Sequence, residues 1–198
     1  MSTGFCGQSR WVTVDSGMRF GALLMWLGVI GLACGEEAMP KPQGVSDDLS
    51  RLAEALLGKH GGNQLFYFPT HDVPATPQDW GLKYEDVNFK SKDGTKLHAW
   101  FMPAQGKAAK ATVVFSHGNT GSIGHHLGFV MWFAEAGYNV LTYDYRGFGA
   151  SGGAVDRRGM VDDVRAAFAY VKTRSDVNGD KLVSYGHSLG GAKSLAAL

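Results

Sequence analysis

Cysteine is nearly missing from this chain: its 198 residues hold two, Cys6 and Cys34, both near the N-terminus. A disulfide framework or a cysteine metal site in the body of the protein is thereby excluded. Charge of one sign is lacking as well, with 19 Lys+Arg against 18 Asp+Glu and a net charge of +1. Such a chain has no basic field to attract nucleic acid by counterion release, so nucleic acid is not expected among its partners. Internal repeats and low-complexity tracts are absent, and 44% hydrophobic with 19% charged residues is the composition of a packed globular protein. Wholesale disorder and collagen-like structure fall away. The length suits one domain of ordinary size and is short for two. Glycine is the abundant residue, 28 in all. That density points to tight turns and close backbone approaches, hence an α/β or all-β chain rather than a helical bundle.

The one long apolar run is Phe20 to Cys34, FGALLMWLGVIGLAC, preceded by Arg19 and followed by Glu36-Glu37. A basic segment, then an apolar segment shorter than the ~20 residues that span a bilayer core, is the pattern of an export signal rather than a permanent membrane helix. Residues 1–34 therefore read as a signal, with Met18 a more usual start than Met1. Leu32-Ala33-Cys34 resembles the end of a bacterial lipoprotein signal, which would lipidate Cys34 and attach the chain to a membrane; Gly31 and Leu32 depart from that pattern. Ordinary cleavage near Ala33 or Ala38, with Cys34 incidental, is the alternative. Without residues 1–33 the chain keeps 17 basic and 17 acidic residues. Attachment would then come from lipid and not from a polybasic patch. The expected location is export, to a membrane anchor or to the periplasm or exterior.

Residues 35–64 read as a tether, Met39 to Gly44, and a short amphipathic helix in which Leu49, Leu52, Ala53 and Leu56 share a face before Gly58. Residues 65–198 read as the folded body. Its opening, with prolines at 69, 74 and 77 among Phe66, Tyr67, Phe68 and Trp80, reads as an extended arm. Phe66 to Phe68 are expected to pack in the core, with an apolar pocket lining as the alternative. Glu85–Lys90 and Lys96–Met102 read as a hairpin closed at Asp93-Gly94. Ala111–Ser116, Asn139–Tyr143 and Lys181–Tyr185 read as parallel strands, alternating with helices over His125–Ala136 and Asp162–Thr173. Val161, Val164, Phe168 and Val171 are expected to face inward from the second helix.

Chemistry concentrates at Leu182 to Gly191, LVSYGHSLGG, where a strand runs straight into Gly-x-Ser-x-Gly and then into a helical segment. In that context the pattern is a nucleophile elbow: the sharp turn exposes the Ser188 hydroxyl, and Gly186 and Gly190 flank it because side chains there would collide. The helix N-terminus offers the Leu189 N–H to an oxyanion. His117-Gly118-Asn119-Thr120-Gly121 lacks the lysine and spacing of a phosphate-binding loop. His125 and His126 are neighbours, so they point about 100° apart on a helix and suit solvent better than a shared metal. His117 is expected to be structural, and His187 to point away from the serine.

These motifs resemble those of the α/β-hydrolases, the serine aminopeptidase-like and lysophospholipase-like branch in particular, over residues 65–198. The marks are Phe68-Pro69, Trp80-Gly81-Leu82 with Glu85-Asp86-Val87, Asp93-Gly94 before Leu97 and Trp100, His117-Gly118-Asn119, and Asp144-Tyr145-Arg146-Gly147-Phe148-Gly149 with Ser151-Gly152. The resemblance implies an incomplete α/β-hydrolase fold, mainly parallel, with an N-terminal antiparallel hairpin and helices on both faces. It implies a second oxyanion donor in the Asn119 N–H, and a bracing role for Asp144 and Arg146. The implied reaction is cleavage of a small ester, lipid or peptide through a Ser188 acyl-enzyme, with no metal or organic cofactor. In this family the acid and the histidine follow the serine, whereas no histidine follows His187 and no acid follows Asp180. Both are expected beyond Leu198. The alternative is a truncated, non-catalytic binding or assembly module whose partner covers the strand over Lys181–Tyr185. Oligomeric state is not legible.

Overall fold

The computed structural model describes residues 66–106 and 108–198, together with Leu52, Leu56 and Asn63. The segments expected to be an export signal, with Cys6 and Cys34, and a tether lie outside the described residues. So does the short amphipathic helix, apart from Leu52 and Leu56, which are helical and exposed. All described residues belong to one compact unit, Pro42–Leu198.

In chain order the elements are β1 (Phe68–Pro69), a 3-10 turn (Pro77–Trp80), β2 (Glu85–Lys90), β3 (Lys96–Met102), β4 (Thr112–Ser116) and β5 (Thr120–Gly121). A 3-10 helix (Ile123–Phe129), α1 (Met131–Glu135), β6 (Asn139–Tyr143), α2 (Gly159–Thr173), β7 (Leu182–Gly186) and α3 (Leu189–Ala197) follow. Five strands form one sheet in the order β2-β3-β6-β4-β7. The hairpin β2–β3 pairs Val87 with Ala99 and turns at Gly94, whose φ of 87° suits glycine. β3 also runs antiparallel to β6, while β6, β4 and β7 are mutually parallel. The expected architecture is thus present.

Period-two alternation sorts the strands' side chains onto two covered faces. Ala99, Phe101, Val114, Leu141 and Tyr143 meet Met160, Val164, Ala167 and Val171 of α2. Met102, Val113, Phe115 and Val140 meet Val130 and Ala134 on the opposite face. β4 and β6 are buried throughout, as central parallel strands should be, whereas β7 at the end of the strand order is only half-buried.

Three local expectations need correction. The helix expected over His125–Ala136 is two pieces. Gly124 packs so close to the chain at Ala75 that a Cβ would lie 2.8 Å from the Ala75 carbonyl oxygen, and Val130 interrupts the helix with φ −133°. The second helix starts a turn before Asp162, because the Asp156 carboxylate accepts the Gly159 N–H at 2.7 Å and its carbonyl accepts the Met160 N–H at 2.9 Å. Its buried face is Met160, Asp163, Val164, Ala167 and Val171, so Val161 and Phe168 are only partly buried. Of the aromatic arm, Tyr67 alone joins the core; Phe66 and Phe68 are 68% and 53% exposed. Alternation along an extended segment puts one residue in and its two neighbours out. No helix among the described residues is long and apolar enough to cross a membrane.

Candidate active site

β7 ends at Gly186 and α3 begins at Leu189, so Ser188 sits in the turn between them. Its φ of 52° and ψ of −114° make it the sole non-glycine residue with positive φ among the described residues. Such a conformation is held by its surroundings. The His187 N–H donates to the Ser116 carbonyl at 3.0 Å, and the Gly190 and Gly191 N–H groups donate to His187 and Ser188 carbonyls at 2.9 and 3.0 Å. A Cβ on Gly186 would overlap the backbone of Gly190 and Gly191, and one on Gly190 would overlap the Ser116 carbonyl. Both flanking positions therefore accept only glycine. Ser188 is exposed. Leu189 is the first residue of α3, so its N–H has no acceptor within the helix and lies at the positive end of the helix dipole.

The second candidate donor, Asn119, lies just beyond the end of β4. Its carbonyl accepts the Phe68 N–H at 2.9 Å, its side-chain amide donates to the Phe66 carbonyl at 2.8 Å, and β1 pairs with β5 one residue on. The aromatic arm thus clasps this loop with main-chain bonds. Gly118, one residue earlier, lies against the elbow: a Cβ there would come within 3.1 Å of His187 Nδ1.

His117, His126 and His187 cluster between the loop and the elbow. His117 stacks on His126 at 5.3 Å between ring centroids, His126 lies 5.8 Å from His187, and His187 stacks on Phe129 at 4.2 Å. His125 is exposed, but His126 is 6% exposed and bonds to the Thr120 carbonyl, which corrects the expectation that both face solvent. No sequence signal marks this, since the neighbours come from three separate segments. Among the described residues no imidazole hydrogen-bonds the Ser188 hydroxyl, and no group of three His, Cys, Asp or Glu is placed to hold a metal ion.

Complete burial pushes His117 down to about 4, with the Asp144 carboxylate opposing and His126 adding to the effect. The unfolded chain therefore takes up this proton first, near pH ~6.5. Stability is expected to fall by on the order of 3 kcal/mol as pH drops from ~6.5 to ~4, and to level off below. His98 acts in the opposite sense: burial alone would lower it, but hydrogen bonds to Asp144 and Asp86 raise it. Its contribution is complete below its unfolded pKa and is lost as pH rises through the folded one. Urea denaturation at pH 7 and pH 5 separates the two, because H117F should flatten the acid slope and leave the His98 contribution in place.

Asp144 and Arg146 form no pair with each other. Asp144 Oδ1 accepts the Ile123 N–H at 2.8 Å, Oδ2 lies 3.2 Å from His98 Nδ1, and the carboxylate fills the space a Cβ on Gly149 would need. Arg146 ties Asp163 of α2 to Asp93 and Ser91 of the hairpin turn. Each braces the chain where it leaves β6, and neither hydrogen-bonds Ser188.

The family model for serine aminopeptidase, S33, matches residues 107–198. Escherichia coli (strain K12) YfhR, an uncharacterized protein, is 43% identical over 133 residues, which are 66% of this chain and 46% of that protein. The alpha/beta hydrolase domain-containing protein WAV2 of Arabidopsis thaliana is 38% identical over 65% of this chain and 44% of its own length. The chain thus spans about half the length of the curated relatives it matches. The Pyrococcus furiosus esterase Pf2001 superimposes with a TM-score of 0.58 at 27% identity, covering 65% of this chain and 51% of that one. A strand-elbow-helix unit on a mixed sheet of this order, the matched family model and these relatives agree: the chain belongs to the α/β-hydrolases.

Proposed function

We propose that this chain carries the nucleophile and oxyanion site of a serine hydrolase that cleaves carboxylic esters. The observation that carries the reading is the backbone of Ser188, held at positive φ between two glycines that leave no room for a Cβ. A hydroxyl presented this way projects from the turn, where a substrate carbonyl can approach it. Ser188 Oγ bonds to the carbonyl carbon while its proton passes to a base, and the carbonyl electron pair moves onto oxygen. The N–H groups of Leu189 and Asn119 stabilise that oxyanion. Collapse of the tetrahedral intermediate expels the alcohol, which regains the proton, and water then hydrolyses the acyl-enzyme. The base and its orienting acid come from outside the described residues. An ester substrate is favoured because Pf2001, an esterase, superimposes on this chain. We also infer export, supported by the apolar run Phe20–Cys34 that follows Arg19.

The test is covalent trapping. With the general base present, an alkyl fluorophosphonate should lose fluoride and add one phosphonyl group per chain, mapped by peptide mass to Ser188. An unmodified chain, or an adduct on another serine, would overturn the reading.

A further inference from the structure

We propose that His117 and His126 are a stacked pair of positioning residues that aim the Gly118–Asn119 peptide at the oxyanion; this rests on the serine-hydrolase reading above. His117 Nδ1 lies 2.7 Å from the Gly118 carbonyl oxygen, and since a carbonyl only accepts, Nδ1 carries the hydrogen. No cis peptide bond occurs among the described residues, so the Gly118–Asn119 unit is trans and its N–H points opposite to its C=O. Holding the Gly118 carbonyl on the His117 side therefore turns the Asn119 N–H the other way.

His126 fixes the peptide two further along, Thr120–Gly121. Its Nε2–H donates to the Thr120 carbonyl at 2.9 Å, which leaves Nδ1 unprotonated, buried and without a partner. Burial lowers the pKa of the ring, with the Thr120 hydrogen bond opposing and His187 and His125 adding to the effect. The ring also limits sideways movement of the loop. A Cβ on Gly118 would lie 3.1 Å from His126 Cε1 and 3.1 Å from His187 Nδ1, so the backbone at Gly118 passes through a slot walled by these two rings. His187 adjoins Ser188 in the chain. The slot thus sets the spacing between the two backbone segments that carry the oxyanion donors. Phe68 N–H, on the Asn119 carbonyl, fixes the far side. Every peptide from Gly118 to Thr120 has its carbonyl held, and the two imidazoles hold two of the three.

The role is separable from simple packing by two variants of the full chain. H126F keeps a ring against His117 and Phe129 but removes the N–H, whereas H126Q keeps a donor and loses the ring. Two readouts are needed: amide exchange over Gly118–Gly121, and the rate of phosphonylation of Ser188 resolved into its maximal rate and its half-saturating probe concentration. In H126F, exchange should accelerate roughly tenfold, about what one lost hydrogen bond allows. Its maximal phosphonylation rate should fall about 10- to 100-fold with half-saturation changed less than about threefold, the pattern of a misplaced oxyanion donor. H126Q should recover to within about threefold of the parent in both. An H126F protein equal to the parent in both readouts would overturn the proposal. So would an H126Q protein that fails as H126F does while its melting temperature is unchanged. If the parent protein, with its general base present, is not phosphonylated at all, the serine-hydrolase reading fails, and the exchange comparison by itself decides whether His126 positions the loop.

Discussion

Ser188→Ala, in the protein with its general base present, is expected to reduce hydrolysis of a short-chain ester by at least about 10³-fold while leaving the unfolding midpoint in urea where it was. Removing a serine nucleophile commonly removes nearly all of a serine hydrolase's rate, because what remains is the oxyanion site acting on water. The unchanged stability follows from the backbone. Alanine retains a Cβ, so the energy of a residue held at φ 52° and ψ −114° stays in the fold whether or not the hydroxyl is there. Ser188→Gly distinguishes the two contributions. It should lose the same activity but gain about 1 kcal/mol, since glycine adopts this conformation freely. A fully active S188A protein would end the catalytic assignment. An S188G protein no more stable than S188A would mean that the elbow stores no strain.

The elbow was legible in the sequence because its requirements are local. A strand, two glycines that must lack a Cβ, and a helix all fall within Leu182 to Ala197, and the same holds for the Asp93-Gly94 turn. The parallel strands were legible because β4 and β6 are apolar on both faces, and only a doubly covered sheet makes use of that. What could not be read depends on contacts between distant segments. His126 looks like a solvated residue beside His125 until Thr120, His117 and His187 arrive from other elements to bury it. Phe66 and Phe68 are as apolar as any core residues, yet alternation about Tyr67 places them outside. Sequence resemblance predicted that Arg146 braces the site wall, but not what it touches.

Those contacts make Arg146→Met the most damaging change expected outside the elbow. Asp163 is fully buried, and its carboxylate accepts from the Arg146 side chain and from the Arg146 backbone N–H at 3.0 Å. Burial works against the Arg146 charge, but hydrogen bonds to Asp163 and Asp93 overcome it and lift its pKa above the ordinary value. Methionine fills the volume of the stem and leaves Asp163 an uncompensated buried anion, a change that costs about 3–5 kcal/mol. Asp163→Asn should cost less, because Arg146 keeps Asp93, which is 55% exposed and close to water. In the parent, the Arg146 hydrogen bond holds Asp93 well below the usual carboxylate range, so the stability this gives is present above the unfolded pKa and is lost as pH falls toward the folded one. A double variant identifies the cause of the R146M deficit. R146M combined with Asp163→Leu should recover much of the loss in urea denaturation at pH 7, since an apolar pair of similar volume removes the buried charge altogether. A double variant no more stable than R146M would show instead that R146M acts through lost packing at the hairpin turn.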